Sequence, residues 1–371
     1  MELVKNNNEN DLFGTTKRFL VLFHKDCTDG FLSGFLFWKA MKLHIPNFEE
    51  VCEFAEVQYG EVPPDPAGKN VYVLDFSYTP AQLKEHFGNV ESIEMLDHHE
   101  SAFYEHLLFQ ESDGSPSSLS AEKIEKIKKT HTLTDTKDFS YVLTMEDGSA
   151  RRANVLVSAV NSGAGLSLKQ VHRIFGDSRS WGGISDLQYW RLHNWVERIE
   201  DRDLWVFQYP DSNLVYELLS SVPRTFEAWD ALLCLSADEY SNTLAMTAPL
   251  VAMRGEIARQ LAAKSEPIRV FDYSGVAVNA PHVMASDVGQ LLYDKYDFCL
   301  SYEIDSKEAV LSFRSKKGND IDVAAIAKRL GGGGGHSVAA GARIPTDQFV
   351  TRLATWRRTA VLKSGPLRLS L

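Results

Sequence analysis

Apolar residues in the first hundred positions fall into short runs that stop abruptly at polar groups. Arg18–Phe23 (RFLVLF), Val51–Val57, Val71–Leu74 and Ile93–Leu96 have the length and composition of buried strands. Phe31–Met41 reads as a helix rich in aromatic and aliphatic residues. Pro80 stands at the first position of a second helix running to Phe87. Strand–helix alternation of this kind predicts an α/β fold, with a parallel sheet flanked by helices. Three of the runs end in acids or imidazoles: His24-Lys25-Asp26-Cys27-Thr28-Asp29-Gly30 after the first, Asp75 after the third, and Asp97-His98-His99 after the fourth. Ligands of an open parallel sheet bind beyond the carboxyl ends of its strands. The three segments are therefore expected to converge on one crevice.

The pattern changes further along the chain. Met1–Lys17 reads as a frayed polar lead-in. About 105–155 reads as a surface insertion. It contains the Ser-rich stretch Ser112–Ser120, a solvated helix Ala121–Lys129 carrying Lys126, Lys128 and Lys129, and a hairpin formed by Tyr141–Thr144, Glu146-Asp147-Gly148 and Val155–Val157. A spacer role is favoured for it over a substrate cap. Gly163-Ala164-Gly165 starts a helix towards Phe175, and an amphipathic helix Leu187–Ile199 leads to Glu200-Asp201-Arg202-Asp203. Helices at Phe226–Leu235 and Thr243–Ala263 then bridge to a second region. There, strands at Ile268–Phe271, Val276–Asn279, Cys299–Tyr302 and Val310–Arg314 alternate with helices at Ser286–Tyr293 and Asp322–Leu330, ahead of Gly331–Gly341. The expected division is a metal-binding domain at 1–225, a helical linker at 226–265 and a smaller α/β domain at 266–371.

The chain has 371 residues, 44% of them hydrophobic and 24% charged, which suits two globular domains. No apolar run has membrane-spanning length, and no secretory signal is visible at the N-terminus. Cys27, Cys52, Cys234 and Cys299 form no Cys-x-x-Cys pair. Their scatter argues against a disulfide framework or a thiolate zinc site and fits a cytoplasmic protein. A net charge of −11 argues against tracking of long DNA, which depends on basic stripes. Small phosphate ligands remain compatible, because metal ions can invert the local field.

The metal candidates are His24, Asp26, Asp29, Asp75, His98 and one acid of Asp201 and Asp203. Carboxylate oxygens and imidazole nitrogens suit manganese or magnesium better than structural zinc, with cobalt also compatible. Six ligands exceed what one open ion needs, so two divalent ions are expected, bridged by Asp75. Cys27 is read as a small packing residue, since a thiolate would favour softer metals. The Phe and Trp residues of Phe31–Trp38 sit at helical spacing and are read as core.

Taken together, these motifs resemble those of the DHH phosphoesterase family. His24–Gly30 matches the family's first motif, Asp75 its second, Asp97-His98-His99 its third, and an acid within Ile199–Trp205 its fourth. Gly331–Gly341 resembles the Gly-Gly-Gly-His-x-x-Ala-Ala-Gly motif of the DHH-associated C-terminal domain. One departure is the pair Cys27 and Thr28 between Asp26 and Asp29, where the commonest spelling separates its acids by one residue.

The resemblance implies a manganese-dependent phosphoesterase with its active site in the cleft between the two domains. His24 and Asp26 would hold one ion, and Asp29, His98 and Asp203 or Asp201 the other. Asp203 is preferred slightly, since it lies four residues after Ile199 on the helix's apolar face. Among the catalytic residues Asp97, His98 and His99, Asp97 would orient its neighbours and His99 would face the substrate phosphate. Gly333, Gly334, Gly335 and His336 would bind phosphate through a backbone nest and a ring donor, and Arg314 through its guanidinium. A hydroxide activated by both ions would hydrolyse phosphodiester or phosphomonoester bonds of short RNA or DNA oligonucleotides or small nucleotides. The alternatives are a RecJ-like single-strand exonuclease and a non-catalytic nucleotide- or RNA-binding protein. No membrane partner is expected, and a homodimer is compatible with the sequence.

Overall fold

The computed structural model describes residues 18–58, 61–111, 123, 127, 130–144, 148, 150–319, 321–331 and 333–363. The lead-in Met1–Lys17, the Ser112–Ser120 stretch, the turn acids Glu146 and Asp147 and, apart from Lys123 and Ile127, the expected helix Ala121–Lys129 lie outside the described residues. The chain divides into two compact units, Met1–Ala248 and Pro249–Leu371.

The first unit runs β1 (Phe19–His24), α1 (Thr28–His44), the single turn α2 (Phe48–Val51), β2 (Cys52–Val57), β3 (Asn70–Leu74), α3 (Pro80–His86), β4 (Ser92–Asp97) and α4 (Glu100–Glu111). It continues through β5 (Thr136–Thr144), β6 (Ala150–Ser158), α5 (Gly163–Phe175), α6 (Asp186–Asp203), α7 (Ser212–Ser221), α8 (Phe226–Leu233) and α9 (Ala237–Ala245). The sheet order is β2-β1-β3-β4-β6-β5, with every pair parallel except the edge pair β5–β6.

Side-chain alternation along the strands feeds two cores, one on each face. Val21, Phe23, Tyr72 and Leu74 join α1, α5, α6 and α8 on one face. Leu20, Leu22, Val71, Val73, Ile93 and Met95 join α3 and α4 on the other. α1 is buried from Thr28 to Met41, so Phe31, Phe35, Phe37 and Trp38 are core residues. Helices that are apolar all round end up sandwiched in this way.

Two sequence expectations change. Of the segment about 105–155, read as a surface insertion, the described strands β5 and β6 belong to the first unit's sheet. β6 pairs in parallel with β4, and its Ala153, Val155 and Val157 are fully buried. Beneath the hairpin, buried His106 Nδ1 and the Tyr141 hydroxyl share a 2.7 Å hydrogen bond. Residues 226–265 also form no independent linker. Trp229, Leu232 and Leu233 of α8 belong to the first unit's core, whereas Ala258 belongs to a core of the second.

The second unit comprises α10 (Ala248–Ala262, whose first residue closes the first unit), β7 (Glu266–Val270), β8 (Tyr273–Asn279), α11 (Ala285–Leu292), β9 (Phe298–Ile304), β10 (Glu308–Arg314), α12 (Val323–Leu330), β11 (Gly334–His336), β12 (Ala339–Pro345) and α13 (Thr346–Lys363). Its mixed sheet, ordered β11-β12-β10-β9-β8-β7, is covered by α12 and α13 on one face and by α10 and α11 on the other.

Candidate metal centre

Strand order places the chemistry. The chain leaves β1 for β2 on one side and then crosses to β3 on the other, so the direction of winding reverses between β1 and β3. A crevice opens at such a reversal. Register aligns the strand ends there: Phe23 lies opposite Leu74, and Leu74 opposite Leu96. His24, Asp75 and Asp97 consequently emerge from three adjacent strands at one level, and the Asp75 N–H donates to Leu96 O at 2.8 Å.

Asp75 adopts φ 55°, in the left-handed region that Asp tolerates better than most residues. It is fully buried, and neither carboxylate oxygen accepts a hydrogen bond. Its Oδ1 lies 3.0 Å from His98 Nε2, and its Oδ2 lies 3.6 Å from His24 Nδ1. Around it the donors form two sets. One is Asp29, His98 and Asp203; the other is His24, Cys27 and Asp75. Within each set the donor atoms lie within 4.8 Å of one another. Asp203 Oδ2 is 3.3 Å from His98 Nε2, and Asp29 Oδ2 is 3.9 Å from it. The Asp29 Oδ2 atom is likewise buried without a hydrogen bond. Burial and the charges of Asp75 and Asp203 push the Asp29 carboxyl well above its usual range. Buried carboxylates crowded in this way are costly unless cations neutralise them. Orphaned oxygens converging with imidazoles fit divalent ions.

The support around these donors is local. Ser162 caps α5, and its hydroxyl donates to Asp29 Oδ1 at 2.6 Å, joined by the Ala164 N–H at 3.1 Å. This leaves Oδ2 as the oxygen that faces His98. His24 Nε2 shares a 3.2 Å hydrogen bond with Gln58 Oε1. If Nε2 is the protonated nitrogen, Nδ1 presents its lone pair on the Asp75 side. Fully buried Asp97 accepts from the His98 N–H (2.7 Å), the His99 N–H (3.0 Å) and the Ser77 hydroxyl, and its Oδ1 lies 2.6 Å from His99 Nδ1. Burial alone would raise the Asp97 carboxyl. The contacts to His99, His98 and Ser77 outweigh it and hold the pKa well below the usual range.

Two candidate ligands stand elsewhere. Asp26, at φ 56°, turns its side chain outward; it is 76% exposed and pairs with Arg224 at 3.4 Å. Asp201 accepts from the Gln208 and Tyr209 N–H groups and the Ser212 hydroxyl, which makes it the anchor of the loop after α6. Asp203, at the end of α6, is the acid that meets His98.

Sequence reasoning passed over Ser77, Ser162 and Gly163 as supports of the site and read Cys27 as a packing residue. The small-residue run Asn161–Gly165 was the legible signal for Ser162 and Gly163. A Cβ on Gly163 would sit 2.4 Å from Asp75 Cβ and 2.7 Å from its Oδ1. Gly163→Ala is therefore expected to cost about 1–3 kcal/mol in urea unfolding. It should also weaken divalent-ion affinity roughly 10–100-fold by titration calorimetry, as displaced support of a ligand does. Unchanged affinity would show that Asp75 has room to shift.

In the second unit the end of the glycine run enters an edge strand. Gly334–His336 form β11, and Gly335 (φ 133°) faces Ala340 so closely that a Cβ would lie 2.5 Å from Ala339 O. A Cβ on Gly333 would lie 2.5 Å from Gly341 O. Arg314, Ala339 and His336 occupy one row across β10, β12 and β11, and so share a face of the sheet. Arg314 Nε donates to Ser286 Oγ at 3.0 Å, and Nη1 donates to Phe313 O at 2.8 Å; burial lowers its pKa to about 10.

The fold is one found in DHH-domain proteins. The chain superposes with a TM-score of 0.52 on a DHH-domain structure described as belonging to a family of ribosomal proteins, at 12% identity over 94% of this chain and 87% of the other. Residues 284–358 match the DHHA1 domain, so the second unit carries a DHHA1 domain after the DHH fold. The structural likeness shows the fold, and the DHHA1 match is confined to residues 284–358. RecJ from Thermus thermophilus, in complex with Mn2+, is similar at 14% identity and a TM-score of 0.46, over 93% of this chain and 52% of that one. The pGpG-specific phosphodiesterase PggH from Vibrio cholerae is similar at 12% identity and a TM-score of 0.42, over 93% and 100%. No curated protein matches the sequence. No helix among the described residues is long and apolar enough to cross a membrane.

Proposed function

We propose that the protein is a metal-dependent phosphoesterase acting on short oligonucleotides or small nucleotides. The observation that carries this reading is a pair of donor sets that meet at Asp75, which belongs to one set and lies 3.0 Å from His98 of the other, and whose two oxygens are both buried and without a hydrogen bond. Divalent ions held there would supply Lewis-acid stabilisation of phosphoryl charge and a nucleophile at neutral pH. Manganese suits the oxygen–nitrogen set of Asp29, His98 and Asp203. Asp97 fixes the His99 ring through Nδ1 and so sets the direction of Nε2, the nitrogen that would donate to a substrate oxygen. The shared row of Arg314 and His336 supports anion binding by the DHHA1 domain, with the guanidinium as the stronger group. The net charge of −11 supports short substrates over long strands.

The test is a panel of two- to five-nucleotide RNAs, cyclic dinucleotides, 3′-phosphoadenosine phosphate and one long single strand, each incubated with the protein and manganese. Turnover of short substrates well above the long strand is expected. Equal degradation of the long strand would move the assignment to a RecJ-like exonuclease. Nucleotide binding without turnover under any divalent ion would make the protein a binding module.

A further inference from the structure

Cys27 is the donor that the oxygen–nitrogen description leaves out. Its neighbour Asp26 takes the left-handed conformation and sends its carboxylate outward to Arg224, which leaves the inner position of the loop to Cys27. Cys27 is the N-cap of α1, yet its side chain makes no capping hydrogen bond. Its sulfur instead lies with a ring nitrogen of His24 and a carboxylate oxygen of Asp75, all within 4.8 Å of one another. Donors around one tetrahedral ion stand roughly 3.3–3.8 Å apart, so a small adjustment of side chains closes this set on a single cation. The turn is held at that depth by Gly30, where a Cβ would meet His24 O at 2.5 Å and Asp75 Oδ2 at 3.1 Å. The independent sign that a ligand belongs here is Asp75 itself, fully buried with both oxygens lacking hydrogen bonds.

We propose that Cys27 is a metal ligand. His24, Cys27 and Asp75 then form a nitrogen–sulfur–oxygen position for a borderline divalent ion such as Zn2+, Co2+ or Fe2+, distinct from the oxygen–nitrogen position of Asp29, His98 and Asp203. The inference rests on the metal-centre reading of Proposed function and deepens it. Thiolate selects softer ions, whereas carboxylate and imidazole alone accept manganese and magnesium. The two positions would therefore differ in metal preference, and Cys27 would set that difference.

Cobalt absorption separates the two claims. The chelator-stripped full-length chain is titrated with Co2+ as wild type, Cys27→Ser, Cys27→Ala and, as a control for the exposed thiol, Cys234→Ser. Visible ligand-field bands are expected in all four, with a near-ultraviolet thiolate-to-cobalt band in wild type and Cys234→Ser that is lost in both Cys27 variants. In competition, Zn2+ affinity should fall about tenfold or more in Cys27→Ser, while Mn2+ affinity changes far less. Ligand-field bands without the charge-transfer band in wild type, or a band that survives in the Cys27 variants, would overturn the ligand and leave the metal centre standing. Absence of any cobalt binding by wild type would overturn both.

Discussion

Asp75→Asn is expected to abolish the response of the protein to divalent ions. A ligand that binds only the folded state at a hundredfold excess over its Kd stabilises it by about 2.7 kcal/mol, which shifts the melting temperature of a domain of this size by roughly 5–10 °C. Manganese or cobalt should produce that shift in wild type and none in Asp75→Asn. Phosphoesterase turnover should fall by about 10³ or more, because phosphoryl charge loses its stabilising cations. Asparagine is the informative replacement. It tolerates the left-handed φ of 55° as aspartate does, so the backbone at the end of β3 is kept and only the charge is removed. A metal-dependent shift that persists in Asp75→Asn would show that Asp75 does not join the two donor sets.

The strand ends were legible because their physics is local. Each apolar run stopped at a polar group that a buried sheet cannot tolerate without a partner, and the parallel pairing then put His24, Asp75 and Asp97 at one level. The identity of individual donors was less legible, because it depends on single backbone conformations. Asp26 and Cys27 differ in direction only because Asp26 takes φ 56°, which no pattern of residue types announces. Asp201 and Asp203 are two residues apart on one helix; spacing from Ile199 favoured Asp203 only slightly, and the following loop, tied to Asp201 by Gln208, Tyr209 and Ser212, separates their roles. The hairpin of β5 and β6 was read as part of a surface insertion, although Ala153, Val155 and Val157 alternate as a buried strand should. α13 was passed over although Phe349, Leu353 and Trp356 recur at helical spacing and are buried in the second unit.

Asp97→Ala is expected to be the most destabilising single change at the site. Three donors converge on its Oδ1 and the Ser77 hydroxyl on its Oδ2, in a fully buried position. Alanine strands all four and leaves a void, for a loss of roughly 3–5 kcal/mol in urea unfolding near neutral pH. Asparagine can keep its oxygen towards the two N–H groups and His99, while Ser77 reverses to accept from the amide. It should recover more than half of that loss, which separates hydrogen-bond geometry from charge. The pH dependence follows from the depressed Asp97 pKa. The folded protein holds this carboxyl ionised below the unfolded value of about 3.9, so its contribution is fully present above that pH and disappears as pH falls towards the folded pKa. The stability gap between wild type and Asp97→Ala should therefore be flat from about pH 5 to 8 and narrow below about pH 4. A gap that stays constant into acid would mean that the ionised carboxylate is not what anchors the two histidines.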